Sequence, residues 1–389
     1  MASSASEQKA GPVHRRPDRV GRAPSSPLTG ALPDGSGVSR RRIRSWLASL
    51  GVDHGRIIDA QEFVARSRAV MLRFEDGTSL FLKEMDNAAG VAIDAAFRNE
   101  EAMLRLVPVA GLPVVSERAI PRLVATDPES GTLVMEGKVG FASLRELVQS
   151  SPDIPVSVLV AMASVVAGIH RTPVPDTHGR DASGLRSFGF PFASFAVLTP
   201  EQLVGGPGMD YPAYVAAMQA VDTEVDMLRR SWQPSSLVHF DLRDDNILVR
   251  ENADDRPEVA LVDWEMAGYG DPLLDVGTVV GQLLVQWLQT VRDTPEQLAS
   301  AAAWTTVRRN AGLFITAYEH VAPLSEEQHI AVFRYAGLFA LMHAAGRLEQ
   351  IGSLGRIGHL CLFVGRQLLK NPQGIAELFL PSKGRSSRA

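Results

Sequence analysis

Apolar and polar positions recur along this chain in two manners, and the change from one to the other divides it. Early on, "AVMLRF" and "SLFLKEM" flank "EDGT", and "RLVATD" and "TLVMEG" flank "PESG". Short strand-like runs separated by such turn residues predict two β-hairpins, with Lys83 inside the second strand of the first. Between them, "GVAIDAAFRNEEAMLRLV" spaces its apolar residues as a helix does. Ahead of them, "SRRRIRSWLASLGV" sets Ile43, Trp46, Leu47 and Leu50 on one helical face, and Gly51 is placed to end that helix. After "EGKVGF" the helical period takes over in "FASLRELVQS", "IPVSVLVAMASVVAGIHRTP" and "DYPAYVAAMQAVDTEVDMLRRSW". From "DPLLDVGTVVGQLLVQWLQ" to "HLCLFVGRQLLK" helix follows helix. The exceptions are "SLVHF", "NILVRE" and "VALVDWE", β-branched runs predicted as small strands within the helical half.

The pattern predicts an α+β chain of two lobes, the first strand-rich and the second mainly helical. Expected boundaries are a flexible extension over 1–38, a strand-rich lobe over 39–137, a helical lobe over 138–380 and a flexible tail over 381–389. The extension holds few large apolar residues to offset the entropy of ordering it. A length of 389 residues, 45% hydrophobic and 21% charged, fits two lobes with a sizeable core. The net charge of -5 supplies no basic field, so no nucleic-acid partner is expected. A single cysteine, Cys361, excludes an internal disulfide framework and a multi-cysteine metal site, and fits a reducing, cytoplasmic setting. "VFRYAGLFALMHAAG" carries Arg334 and is too short for a membrane span, and "MASSASEQKAGPVHRRPDRV" lacks the apolar core of a signal peptide.

Chemistry concentrates in "HFDLRDDNILV", positions 239–249, where two strands flank a loop full of carboxylates. If those strands pair with "LVDWE", Asp241, Asn246 and Asp263 come together. Mg2+ takes a few oxygen ligands besides substrate phosphates, and a carboxylate nearby can receive the proton of an attacking hydroxyl. Asp241 is then the group that orients and deprotonates the hydroxyl, Asn246 and Asp263 hold the metal, and Lys83 neutralises phosphates from the other lobe. His239 is read as shaping the loop. Arg243 either meets substrate or pairs with a carboxylate, and Asp244 and Asp245 read as a solvated turn. Glu265, two residues beyond Asp263, is either a second metal contact or a plain salt bridge. Asp271 and Asp275 are expected to cap the following helix. His170, His320, His329, His343 and His359 show no metal-ligand spacing and are read as ordinary, and Cys361 as core.

The spacing His239-x-Asp241-x-x-x-x-Asn246, then "DWEMAGYGDPLLDVG" with Asp263, and "VAGIHRTP" around His170 together resemble the aminoglycoside phosphotransferase family, relatives of protein kinases. The resemblance runs from near residue 50 to near residue 370. It implies a two-lobed protein-kinase-like fold, ATP or GTP as donor, and Mg2+. It also implies that Lys83 contacts the nucleotide phosphates with Glu100 as its helix partner. Glu100 shares a helix face with Leu104, four residues on, and the adjacent Glu101 is the alternative. Glu136 and Gly137 are implied at the interlobe hinge, against the adenine. "FVARSRAV" departs from the family in lacking the glycines that let a backbone approach phosphates, and Ser67 and Arg68 are expected in their place.

From residue 301 onward ten basic residues stand against five acidic ones. A polycationic aminoglycoside would want a carboxylate-lined cleft, so an acidic peptide or a neutral or anionic metabolite fits better. "DWEMAGYGDPLLDVGTVVGQLLVQWL" and "HLCLFVGRQLLKNPQGIAELFL" are similar to the kinase-like proteins of class V lanthipeptide and thioamitide biosynthesis. That similarity implies a Ser/Thr kinase of a ribosomal precursor peptide, partnered by a separate lyase that eliminates the phosphate. Two alternatives stay open: a small-molecule hydroxyl kinase acting on an antibiotic or metabolite, and a nucleotide-binding pseudokinase scaffold. The presence of Lys83, Asp241, Asn246 and Asp263 speaks against the scaffold, which has no use for a hydroxyl-activating aspartate.

Overall fold

A computed structural model describes residues 37–64, 68–85, 91–151, 153–172, 185–191, 210–252, 256–290 and 301–380. Helix α1 (Gly37–Ser49) buries Ile43 and Leu47, and Gly51 takes a left-handed φ of 76° just beyond its end. Its apolar face packs on an antiparallel sheet of β1 (Ile57–Val64), β2 (Arg68–Phe74), β3 (Ser79–Glu84), β4 (Leu123–Asp127) and β5 (Thr132–Glu136). The strand order is β1-β2-β3-β5-β4. Both expected hairpins form, their turns carried by Gly77 at φ 85° and Gly131 at φ 66°. β1 was not anticipated from the sequence. It is an edge strand that exposes Asp59, Gln61, Glu62 and Phe63, so its sequence lacks the alternation of a half-buried strand.

Because side chains alternate across a strand, β3 sends Leu80 and Leu82 toward α1 and turns Phe81 and Lys83 to the other face. There α2 (Val91–Leu106) adds Phe97, Met103 and Leu104 to a core shared with Met85, Leu133 and Met135. That core continues into the helical lobe through α3 (Val114–Ala119), α4 (Leu144–Ser150) and α5 (Val156–His170).

The helical lobe also comprises α6 (Asp210–Gln219), α7 (Asp222–Ser231), α8 (Leu273–Thr290), α9 (Ala301–Glu319), α10 (Glu326–Ile351), α11 (Gly355–Lys370) and α12 (Pro372–Phe379). Helices α8 and α10 lie very close, since a Cβ at Gly281 would stand 2.9 Å from the Ala336 carbonyl oxygen. Cys361 is buried in this core. Two small sheets interrupt the helices: β6 (Ala142–Ser143) with β8 (Ile247–Arg250) and β9 (Glu258–Leu261), and β7 (Ser236–Val238) with β10 (Gly268–Gly270). β7, β8 and β9 are the three expected strands; β6 and β10 are too short to leave a pattern in the sequence. Among the described residues no helix is long and apolar enough to cross a membrane.

Candidate active site

Lys83, on β3, is buried where the lobes meet. Its Nζ donates to Glu100 Oε2 at 2.7 Å, to Glu265 Oε2 at 3.1 Å, and also to Asp263 Oδ1. Burial works against the ammonium, but Glu100, Asp263 and Glu265 outweigh it and hold the Lys83 proton above the ordinary lysine range. Glu100 is fully buried, which pushes its carboxyl above the usual carboxylate range despite Lys83. Of the two adjacent glutamates, Glu100 faces Lys83, whereas Glu101 accepts from Arg105 at 2.8 Å.

Strand β7 delivers the loop that starts at His239. Two backbone amides of this loop, His239 N at 2.7 Å and Phe240 N at 3.0 Å, donate to the buried carboxylate of Asp275, on α8. The same carboxylate meets His170 Nε2 at 3.2 Å, and His170 Nδ1 meets the Tyr318 hydroxyl at 2.9 Å. Burial would raise the Asp275 carboxyl, but the His170 hydrogen bond and charge, with the loop amides, take it below the usual range. Asp275 therefore anchors the loop, which corrects the expectation that it caps a helix. His170 is likewise no ordinary histidine, since it helps hold that anchor. Asp271 does cap α8, accepting the Leu273 amide at 3.0 Å, and burial raises its carboxyl.

His239 packs against Trp264 in a tilted arrangement, with ring centres 4.3 Å apart. Its Nε2 donates to the Val262 carbonyl at 3.0 Å and its Nδ1 accepts the Asp241 amide at 3.3 Å, which fixes its tautomer. Asp241 forms a bidentate pair with Arg243, Nε to Oδ1 at 2.6 Å and Nη2 to Oδ2 at 2.8 Å. Asn246 Nδ2 donates to the Asp241 carbonyl at 2.8 Å and to Oδ2 at 3.3 Å. Asp244 is buried rather than solvated: Arg145 Nη2 reaches it at 3.0 Å and Gln286 Nε2 at 2.9 Å. Its neighbour Asp245 pairs with Arg145 at 2.7 Å and is half-buried. The half-exposed Arg145 guanidinium and the buried Gln286 amide hold the Asp244 charge where water would otherwise be needed.

Strand β9 and the Val262 amide, bonded to the Asn246 carbonyl at 3.0 Å, bring Asp263 beside the loop. Asp263 stands at φ 67°, ψ 62°, a left-handed conformation that costs a non-glycine residue about 1–2 kcal/mol. Carboxylate oxygens of Glu100, Asp263 and Glu265 lie within 4.8 Å of one another. Glu100 is committed to Lys83 and to the Trp264 amide, 3.1 Å away. Asp263 and Glu265 thus offer hard oxygen donors of the kind that fit a divalent cation.

Glu136 ends β5 near the join, and Gly137 follows it. The Gly137 amide donates to the Ser79 carbonyl at 2.8 Å, and a Cβ there would stand 2.5 Å from Met71 Sδ. Glu136 is paired with Lys138 at 3.2 Å. Between Gly137 and Lys83 a row of Met71, Phe81 and Met135 crosses three strands, and Phe81 meets Phe63 at 5.9 Å. Phe81 escaped the sequence reading, although lying two residues before Lys83 gives it the same strand face. Arg68 is exposed at the start of β2, and Ser67 lies outside the described residues.

Residues 65–313 fit the sequence profile of the phosphotransferase enzyme family (APH). The chain belongs to that family. Solved structures agree in fold. Choline kinase LicA from Streptococcus pneumoniae superposes with a TM-score of 0.50 at 15% identity, over 85% of this chain and 98% of its own. A thermostable mutant of aminoglycoside phosphotransferase APH(4)-Ia, in ternary complex with AMP-PNP and hygromycin B, gives 0.53 at 17%, over 85% and 99%. Amicoumacin kinase hAmiN, in complex with AMP-PNP, Ca2+ and Ami, gives 0.52 at 14%, over 85% and 92%. No curated protein matches the sequence. This phosphotransferase therefore has the kinase-like two-lobed fold, an antiparallel lobe joined to a helical one.

Proposed function

We propose that this phosphotransferase moves the terminal phosphoryl group of ATP or GTP, held with Mg2+, onto a serine or threonine hydroxyl of a precursor peptide, whose phosphate a separate lyase then eliminates. The transfer chemistry rests on one observation: Lys83, Asp263 and Glu265 converge from two lobes beside the Asp241–Asn246 loop. In this reading the base lies along Met71, Phe81 and Met135, and Lys83 holds the phosphates. Asp263, Glu265 and Asn246 hold the cation, and Asp241 orients the hydroxyl and takes its proton. A bound divalent cation neutralises charge on the phosphates. AMP-PNP in two similar structures, one of them with Ca2+, supports a nucleotide donor and a divalent cation.

The charge around Asp241 bears on the acceptor. Asp241, Asp244 and Asp245 are all paired with Arg243 or Arg145, so little negative charge remains to hold a polycation. That balance supports a neutral or anionic acceptor, and the basic excess from residue 301 onward supports an acidic peptide. A small-molecule kinase is the second reading, favoured by the choline, aminoglycoside and amicoumacin kinases that share the fold. Intact-mass analysis of a precursor peptide encoded beside the protein, with Mg2+ and ATP or GTP, decides between them. Added phosphate, or lost water when the lyase is present, is the expected result. An unchanged peptide, with nucleotide consumed on a panel of hydroxylated metabolites and antibiotics, would transfer the assignment to the second reading.

A further inference from the structure

Asn99 and Glu100 are neighbours on α2, and both reach the short turn that carries the cation ligands. Glu100 Oε1 accepts the Trp264 amide at 3.1 Å. Asn99 Nδ2 donates to the Glu265 carbonyl at 3.0 Å and to the Ala267 carbonyl at 2.6 Å. Asn99 is only 7% exposed, and its Oδ1 is buried with no hydrogen-bond partner. Its orphaned amide oxygen is costly, and the asparagine offsets that cost only through what its other end does. What asparagine adds is a donor group placed on two carbonyls that follow Asp263.

The turn has weak support of its own. It starts from the left-handed Asp263 and is closed internally by the Ala267 amide on the Trp264 carbonyl at 3.0 Å. Helix α2 grips it on both sides, through Trp264 with Glu100 and through Glu265 and Ala267 with Asn99. We propose that Asn99 is a positioning residue that sets Asp263 and Glu265 for the divalent cation, so that the placement of α2 governs cation binding. Because Glu100 on the same helix also holds Lys83, a shift of α2 disturbs the phosphate lysine and the cation ligands together. This role rests on the nucleotide–cation reading above.

The test uses the full chain, with ATP binding measured in Mg2+ and in EDTA. A second readout follows deuterium exchange at the amides of residues 264–267 without nucleotide or metal. In Asn99→Ala the gain in ATP affinity that Mg2+ confers falls about tenfold, the usual scale for groups that orient metal ligands. Affinity in EDTA is unchanged and the 264–267 amides exchange faster. Asn99→Ser, which keeps a donor of shorter reach, gives a smaller loss and carries the same test where Asn99→Ala does not fold. Arg105→Ala, on the last turn of α2 and bonded to Glu101, leaves the Mg2+ gain unchanged. An unchanged gain and unchanged exchange in a folded Asn99 variant overturn the role, as does an equal loss with and without Mg2+. A wild-type protein that binds ATP no better with Mg2+ overturns the cation reading itself, and the role of Asn99 with it.

Discussion

Replacing Asp275 by asparagine tests whether the reactive loop is held from below. The side chain accepts two loop amides at 2.7 and 3.0 Å and His170 at 3.2 Å, at 1% exposure. An amide keeps one acceptor oxygen but turns donors toward donors, which strands at least one buried N–H at about 1–3 kcal/mol. It also leaves His170 without its carboxylate, and breaking a buried pair costs about 3–5 kcal/mol in total. The expected fall in Tm is about 5–10 °C. Phe240, at a left-handed φ of 65°, loses the contact that holds it there, and the loop with Asp241 relaxes. A displacement of about 1 Å costs about 100-fold in turnover. Nucleotide binding through Lys83 should change little.

Acid sensitivity follows from the same group. Its folded-state carboxyl titrates below the ordinary value of 3.8, so its stabilisation is complete above that pH and fades as pH falls through the lower folded value. The deficit of Asp275→Asn is therefore full at neutral pH and shrinks in strong acid. Thermal melts from pH 7 downward, with nucleotide turnover at pH 7, measure both effects. Wild-type Tm and turnover in the variant would refute the anchoring role.

Asp241→Asn should bind nucleotide as wild type does, by calorimetry, while turnover drops about 100-fold or more; equal rates would exclude Asp241 as the base. Lys83→Met removes a cation from among three carboxylates and should cost about 3–5 kcal/mol in a urea melt. Adding Glu100→Gln should restore part of it, and strictly additive losses would show that the two are uncoupled. Asp263→Ala should weaken Mg-nucleotide binding more than nucleotide binding in EDTA; equal effects would remove Asp263 from the cation site. Gly137→Ala should cost about 1–3 kcal/mol, because the new Cβ meets Met71 and Ser79, and a neutral result would mean that β2 and β3 yield there.

How much could be read from the sequence depended on whether neighbours in space were neighbours along the chain. The two hairpins were legible because each is local, with its turn residues between its strands. Asp241, Arg243, Asn246 and Asp263 were legible for the same reason, as one loop and the strand that closes it. Asp275 has the look of a helix-start residue, and only the packing of α8 beneath the loop turns its carboxylate to the His239 amide. His170 lies 105 residues from Asp275, and nothing in "VAGIHRTP" announces the pairing. Asp244, in a run of charge that suggests water, is enclosed by Arg145 from α4 and Gln286 from α8.

The Asp241–Arg243 pair joins the two readings that the sequence left open for that arginine. A base must offer a lone pair to the hydroxyl, yet both Asp241 oxygens here accept hydrogen bonds, from Arg243 and Asn246. The pair is partly open to water, with side-chain exposures of 27% for Asp241 and 45% for Arg243, and pairs in such surroundings contribute about 1 kcal/mol or less. Freeing an oxygen is therefore cheap beside the barrier of phosphoryl transfer. A phosphate or an anionic acceptor entering the site competes for the guanidinium on better terms, since it brings more charge and the same bidentate geometry. On the function proposed above, Arg243 would pair with a carboxylate at rest and meet substrate when substrate is present. A cationic acceptor would meet the guanidinium as a like charge, which is the same preference that the paired carboxylates around Asp241 express.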